Sequence, residues 1–463
     1  MNESHKNPLM QDRIEHLLFK FAVPSIIAML VSSLYNIVDQ FFIGKAVGEL
    51  GNAATNISFP LSTSCTAIAL LFGIGGASSF NISMGRGVKD PREKEHAVFY
   101  MGNAITLLFG CGVILCTVTQ LFLEPMLNFF GSPADVLDYA KTYTQIVSFG
   151  FPFLIFTIGG GHLIRADGRP RFTMICNLTG ALINTVLDAL FVFGFHWGMA
   201  GAASATVIGQ VISASMAMWL LGHCKTIKIK LKHLKPQRKY AARIVSLGAA
   251  PCTNQMAMMV VQIVMNKSLK YYGSMSIYGE AVPIACVGII TKVNMLFLSI
   301  IIGISQGLQP IVSFNYGAKQ YGRVKEGYLK ACACGFVISL TSFLLFQFAP
   351  RQIISLFGDG SGEYYQFAVN YFRIFLFFTC LNFMQMITSN FFTSIGKPRG
   401  GMFLSLTRQI IFLMPLILIL PLAMGIDGIM YAGPIADLTA FIAALLMILH
   451  EFKKNEYREK SKK

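Results

Sequence analysis

Gly168-Arg169-Pro170-Arg171 returns as Gly396-Lys397-Pro398-Arg399, 228 residues further along a chain of 463. Working outward from this pair, nearly the same spacing recurs, between 227 and 230 residues. Gly87-Val88-Lys89 answers to Gly317-Ala318-Lys319, Pro24 to Pro251, Gly131 to Gly358 and Gly201 to Gly428. Ala140, Tyr143 and Ile146 likewise answer to Ala368, Tyr371 and Ile374. A near-constant offset from end to end indicates a duplicated chain. Apolar stretches long enough to cross a bilayer lie at about 17–43, 53–84, 97–122, 140–164, 172–194 and 199–222 in the first copy. In the second they lie at about 242–271, 281–314, 328–349, 366–394, 402–423 and 428–451. Six is even, so both copies enter the membrane in the same direction, and the repeat is parallel, about an axis along the membrane normal. The expected fold is an all-α membrane protein of twelve transmembrane helices in two six-helix lobes with a central cleft. The implied organisation is an N-terminal segment 1–16, a lobe 17–222, a basic linker 223–239, a lobe 240–451 and a basic tail 452–463.

Composition agrees. The chain is 54% hydrophobic and 13% charged, about half the charge of an ordinary soluble domain. Soluble enzymes, coiled coils and disordered chains are excluded. The net charge of +16 raises nucleic acid as a partner, and its distribution removes that reading. With the N-terminus inside, 31 Lys and Arg fall on inner segments and five on outer ones. This is the positive-inside pattern, which places both termini and the linker in the cytoplasm and the protein in the cell membrane. Lys225, Lys228, Lys230 and Lys232 read as a solvated linker. The ten cysteines mostly sit in apolar runs and read as small hydrophobes. No cleavable signal peptide is expected, since the polar stretch Met1 to Asp12 leads directly into the first apolar segment.

Charges inside the bilayer cost about 2.5–3.5 kcal/mol each on insertion scales, so each is a functional candidate. Asp39 lies ~28 Å along its helix from Lys20, and Asp188 ~26 Å from Arg171. Asn184 is one turn from Asp188, and Thr206 lies ~12 Å below the start of helix six. Two carboxylates, an amide and a hydroxyl at one depth suit a proton or sodium site. Equal height does not establish adjacency, and separate, solvated carboxylates near the interface are the alternative. Tyr35, Asn36 and Gln40 surround Asp39 in sequence and extend its network or bond between helices. Lys292 and Arg373 pair with carboxylates or snorkel. Asp437 occupies the repeat position of Gln210, outside any duplicated site, and is a candidate for substrate or coupling chemistry. The 23 methionines and 39 phenylalanines suit an adaptable cavity, although most belong to the core or the lipid face. No phosphate loop and no H-E-x-x-H zinc motif is present, so neither an ATP-driven pump nor an enzyme is expected.

These motifs together resemble the multidrug and toxic compound extrusion (MATE) antiporters, closest to the bacterial MepA-like and DinF-like members. The resemblance covers about residues 13–450 and rests on four matches. They are Pro24 with Tyr35-Asn36-Ile37-Val38-Asp39-Gln40-Phe41-Phe42-Ile43-Gly44, Ile164-Arg165-Ala166-Asp167-Gly168-Arg169-Pro170, Asn184-Thr185-Val186-Leu187-Asp188, and Gly201-Ala202-Ala203-Ser204-Ala205-Thr206. It implies a cation-coupling site at Asp39, Asn184, Asp188 and Thr206, with no cofactor beyond a proton or sodium as coupling ion. It also implies export of amphipathic, often cationic compounds by alternating access of two lobes. NorM-like sodium-coupled members carry acids in helices seven and ten; here helix seven offers Gln255 and Gln262, and helix ten offers none.

The expected function is therefore a secondary multidrug antiporter working as a monomer among membrane lipids. Its substrate pathway would draw on Tyr35, Asn36, Gln255, Gln262, Lys292, Arg373 and Asp437. A lipid-linked oligosaccharide flippase is the alternative within transport. It calls for a strongly cationic cavity, to which only Lys292 and Arg373 could contribute. An integral membrane enzyme is the remote one.

Overall fold

The computed structural model describes residues 8–130, 132, 134–279, 281–355, 362–454 and 457, and the described residues form helices and turns only. Eleven segments are long and apolar enough to cross a membrane, and a bent pair supplies the twelfth. In the first half the spans are α1 (Ile14–Val47), α2 (Glu49–Arg86), α3 (Pro91–Leu121), α4 (Ala134–Phe149 and Phe151–Ala166, bent by 53°), α5 (Pro170–Asp188, continuing as a π-helix Ala189–Gly194) and α6 (Gly198–Gly222). In the second half they are α7 (Arg238–Ser274), α8 (Ala281–Gly317), α9 (Tyr321–Phe348), α10 (Gly362–Phe375 and Asn382–Ser394), α11 (Pro398–Met424, with a π-helical stretch Thr407–Leu413) and α12 (Ile426–Phe452).

The duplicated tetrapeptide builds the same turn twice. Gly168 (φ +83°) and Gly396 (φ +77°) adopt the left-handed conformation that ends a helix. The amides of the glycine and the next residue bond back to Arg165 O and Ile164 O in one copy, and to Thr393 O and Phe392 O in the other. Pro170 and Pro398 then open α5 and α11, where a missing N–H costs nothing. The Gly131/Gly358 pair lies outside the described residues.

One hydrophobic core fills the first half, from Leu61 and Phe80 on α2 to Ala203 and Leu220 on α6. Two others occupy the second half. The lobes are not separate at the basic end. Ile14, Leu17 and Phe21 of α1 are buried in the second half's core beside Ile311 and Tyr328. The turn before them is held by Asn315 and Arg323, which donate to Leu9 O at 2.9 and 3.1 Å. There α2 meets both α7 and α8 backbone to backbone: a Cβ on Gly248 of α7 would lie 1.7 Å from Leu71 O, and one on Gly317 of α8 2.2 Å from Ile82 O. Gln309 crosses this seam to Ser78 Oγ (2.9 Å) and Ile74 O (3.3 Å).

The linker is held against the first lobe. Its lysines are exposed, but its backbone is pinned to the first lobe. Buried Asp167 accepts from the amides of Lys225 (2.8 Å) and Thr226 (3.0 Å). Asn103 and Thr106 donate to His233 O and Leu234 O. His233 packs edge-on to Phe99, and burial, then neighbouring Lys232, lowers its pKa below the ordinary imidazole value. All ten cysteines are free thiols; three are fully buried, and Cys334 is exposed.

Candidate functional site

A buried acceptor cluster forms where α1, α4, α5 and α6 converge. Its geometry begins with small residues. A Cβ on Gly209 would lie 2.8 Å from Gly180 O, so α5 and α6 approach closely enough for Asn184 Nδ2 to donate to Thr206 Oγ1 at 3.2 Å. Thr206 spends its own proton on Ala202 O (3.0 Å), which leaves its hydroxyl an acceptor. Tyr35 lies against Thr206 and within electrostatic range of both Asp39 and Asp188. Asp188, the last residue before the π-helical stretch, is fully buried, and Asp39 is 8% exposed. The two carboxylates are themselves within electrostatic range of each other.

What distinguishes the cluster is what it lacks. Asp39 Oδ1, both carboxylate oxygens of Asp188 and Asn184 Oδ1 are buried without a hydrogen-bond donor among the described residues. No lysine or arginine pairs with either acid among those residues. A buried carboxylate with neither donor nor counter-charge is strongly disfavoured as an anion. Four unshared oxygens therefore call for a proton or for a small hard cation, which takes oxygen ligands. No group of three His, Cys, Asp or Glu among the described residues is arranged to hold a metal.

The structure thus brings Asp39, Asn184, Asp188, Thr206 and Tyr35 together, and it separates the remaining candidates from them. Asn36 is exposed and bonds Ser32 O in its own helix. Gln40 turns to the other lobe, accepting from Lys292 Nζ at 3.0 Å. Gln262 bonds Asn266 on α7 (3.1 Å), and Gln255 is half-buried on the same helix. Arg373 donates to Gln347 O, and among the described residues neither it nor Lys292 is paired with a carboxylate. Asp437 is the partner of Arg408, Nε to Oδ1 2.6 Å.

Arg408 corrects the charge partition. Counted among inner segments, it lies ten residues into α11 as half of a largely buried pair. Arg165, also counted as inner, is 3% exposed and bonds His162 Nδ1 at 2.9 Å. Tyr143, which feels both carboxylates of the cluster, was missed as a site residue, although its repeat match to Tyr371 marked the position. Arg408 was signalled by its place inside an apolar run.

Comparison with known proteins follows the same division into halves. The MatE family model matches residues 24–190 and again 252–419. The multidrug export protein MepA of Staphylococcus haemolyticus (strain JCSC1435) is 24% identical, over 93% of this chain and 92% of that protein. Among solved structures, an outward-facing multidrug resistance MATE family transporter of the MOP superfamily superposes with a TM-score of 0.87 at 22% identity, covering 97% and 98% of the two chains. A MOP superfamily transporter from Pyrococcus furiosus Vc1 (DSM3638) gives the same TM-score, identity and coverage. With a duplicated match across more than half its length, the chain belongs to the MatE family.

Proposed function

We propose that this integral membrane protein is a secondary active multidrug efflux antiporter, in which a proton or sodium ion entering the α1/α5/α6 cluster drives export of an amphipathic compound. The observation that carries this reading is the set of four donorless oxygens on Asp39, Asp188 and Asn184. Loading the cluster removes a buried charge imbalance. A ligand moves a conformational equilibrium only by binding one state better than the other. Tyr35 and Asp39 sit on α1, which also spans the seam between lobes, so a change at the cluster has a direct mechanical route to that seam. The moving bodies would be residues 17–222 and 240–451, with the basic end, both termini and the linker on the cytoplasmic side of the cell membrane and a single chain sufficing. The relatives' names support multidrug export.

The test is dye export by the purified protein in proteoliposomes under imposed proton or sodium gradients. Asp39→Asn and Asp188→Asn should each abolish gradient-driven export while leaving the amount of folded protein unchanged. Undiminished export by both variants would remove the proposed coupling site, and the gradient that drives the wild type names the ion.

A further inference from the structure

Lys292 is a cation deep in a span whose bonded partner lies on the other lobe. It lies eleven residues into α8, ~16 Å from the helix start, yet it is exposed. Helical phase shows where it faces. Eleven residues turn an α-helix by about 1100°, which returns to within ~20°, so Lys292 shares its face with Gly303. A Cβ on Gly303 would lie 2.6 Å from Ile26 Cα of α1, so that face is directed at the other lobe. Its bond to Gln40 of α1 agrees, as does Ser299 meeting Ser33 at 2.7 Å between them. Lys292 therefore projects between the lobes, beyond the closed seam.

The ammonium has three donors, and a neutral amide oxygen takes one. The four helices bordering the inter-lobe space, α1, α2, α7 and α8, contain only three carboxylates. Glu15 is committed to Lys330 at the basic end (2.8 Å), Asp39 is buried in the first lobe, and Glu49 is the first residue of α2. On the facing side of α7, Gln255 and Gln262 stand seven and fourteen residues from Gly248, within ~40° of its direction. Among the described residues Lys292 thus has an amide partner and no carboxylate partner, in a span where an unpaired charge is expensive.

We propose that Lys292 binds an acidic group on the transported molecule, so that the substrates are amphipathic acids or zwitterions carrying a carboxylate, sulfonate or phosphate. This rests on the transport reading above and narrows its substrate class. An ammonium meeting an anion forms the strong, charge-assisted class of hydrogen bond, and Gln40 holds the side chain in place when the anion leaves.

The experiment uses the full-length protein with rhodamine B, which carries a carboxylate, and its ethyl ester, which does not. Binding is read by fluorescence polarisation in detergent and export in proteoliposomes. The wild type should bind the acid more tightly than the ester. Lys292→Gln should weaken binding of the acid by about tenfold or more, the scale of one hydrogen bond to a charged group. The ester should change less than about twofold, and Lys292→Arg should retain the preference. Equal effects on both dyes, or none on either, overturn the proposal. Added phosphatidylglycerol competing with the acid in the wild type but not in Lys292→Gln would make a lipid headgroup the occupant, and would also overturn it. A preserved binding preference without gradient-driven export refutes the antiport reading and leaves Lys292 as the acid-binding residue.

Discussion

The seam between the lobes permits a quantitative prediction. Gly248→Ala adds one methyl group where the backbone of α2 already stands: the new Cβ would lie 1.7 Å from Leu71 O, 2.5 Å from its carbonyl carbon and 2.8 Å from its Cα. Every one of these is a backbone atom, so no side-chain rotation relieves the clash. Bringing the contact to the 3.0 Å limit of real Cβ contacts moves α2 and α7 apart by about 1.3 Å. Overpacking of this kind costs about 1–3 kcal/mol. The cost falls only on states in which the seam is closed, and 1.4 kcal/mol is tenfold in an equilibrium, so the open population should rise by roughly five- to 150-fold. The assay is maleimide labelling of a cysteine placed at Ser78, a fully buried seam residue bonded to Gln309, in a background lacking the ten native cysteines. Labelling should accelerate in the Gly248→Ala background. It should not change with Gly288→Ala, where nothing lies within 4 Å. Equal labelling rates in the Gly248→Ala and parent backgrounds, with equal thermal stability, would refute the argument that glycine closes the seam.

Other consequences follow from single contacts. Arg408→Met should destabilise the protein by about 3–5 kcal/mol, because it leaves the Asp437 carboxylate buried without its cation. The double variant Arg408→Met/Asp437→Leu should lose much less. Denaturation in detergent checks this, and a double variant no more stable than the single would count against the buried pair. His233 accepts from the Lys230 amide through Nδ1 (3.0 Å), so protonating that nitrogen breaks the bond. A histidine with a lowered folded pKa contributes docking stability that is present above its free value, about 6.5, and lost as pH falls below it. Hydrogen exchange in the linker, corrected for its intrinsic pH dependence, should therefore speed up below that pH in the wild type. No such acceleration should occur in His233→Phe.

The sequence alone determined the scaffold of this protein. Spans, their parity and their parallel repeat follow from apolar runs and from pairs such as Gly168 and Gly396, because crossing a bilayer forces helices of a minimum length. It also placed Asp39, Asn184, Asp188 and Thr206 at one depth, since rise per residue is the same in any helix. Which of them meet depends on helix rotation and on how closely helices approach, and neither is written in a span's own composition. Only the tertiary structure decided that Gly180 and Gly209 bring Asn184 onto Thr206, that Asn36 faces away, and that Gln40 crosses to Lys292. It likewise turned Asp437 from an unattached acid into the partner of Arg408, because a counter-charge 29 residues away in sequence becomes a neighbour only when α11 and α12 pack. Depth is a one-dimensional property that a sequence carries, whereas adjacency across helices arises only from packing.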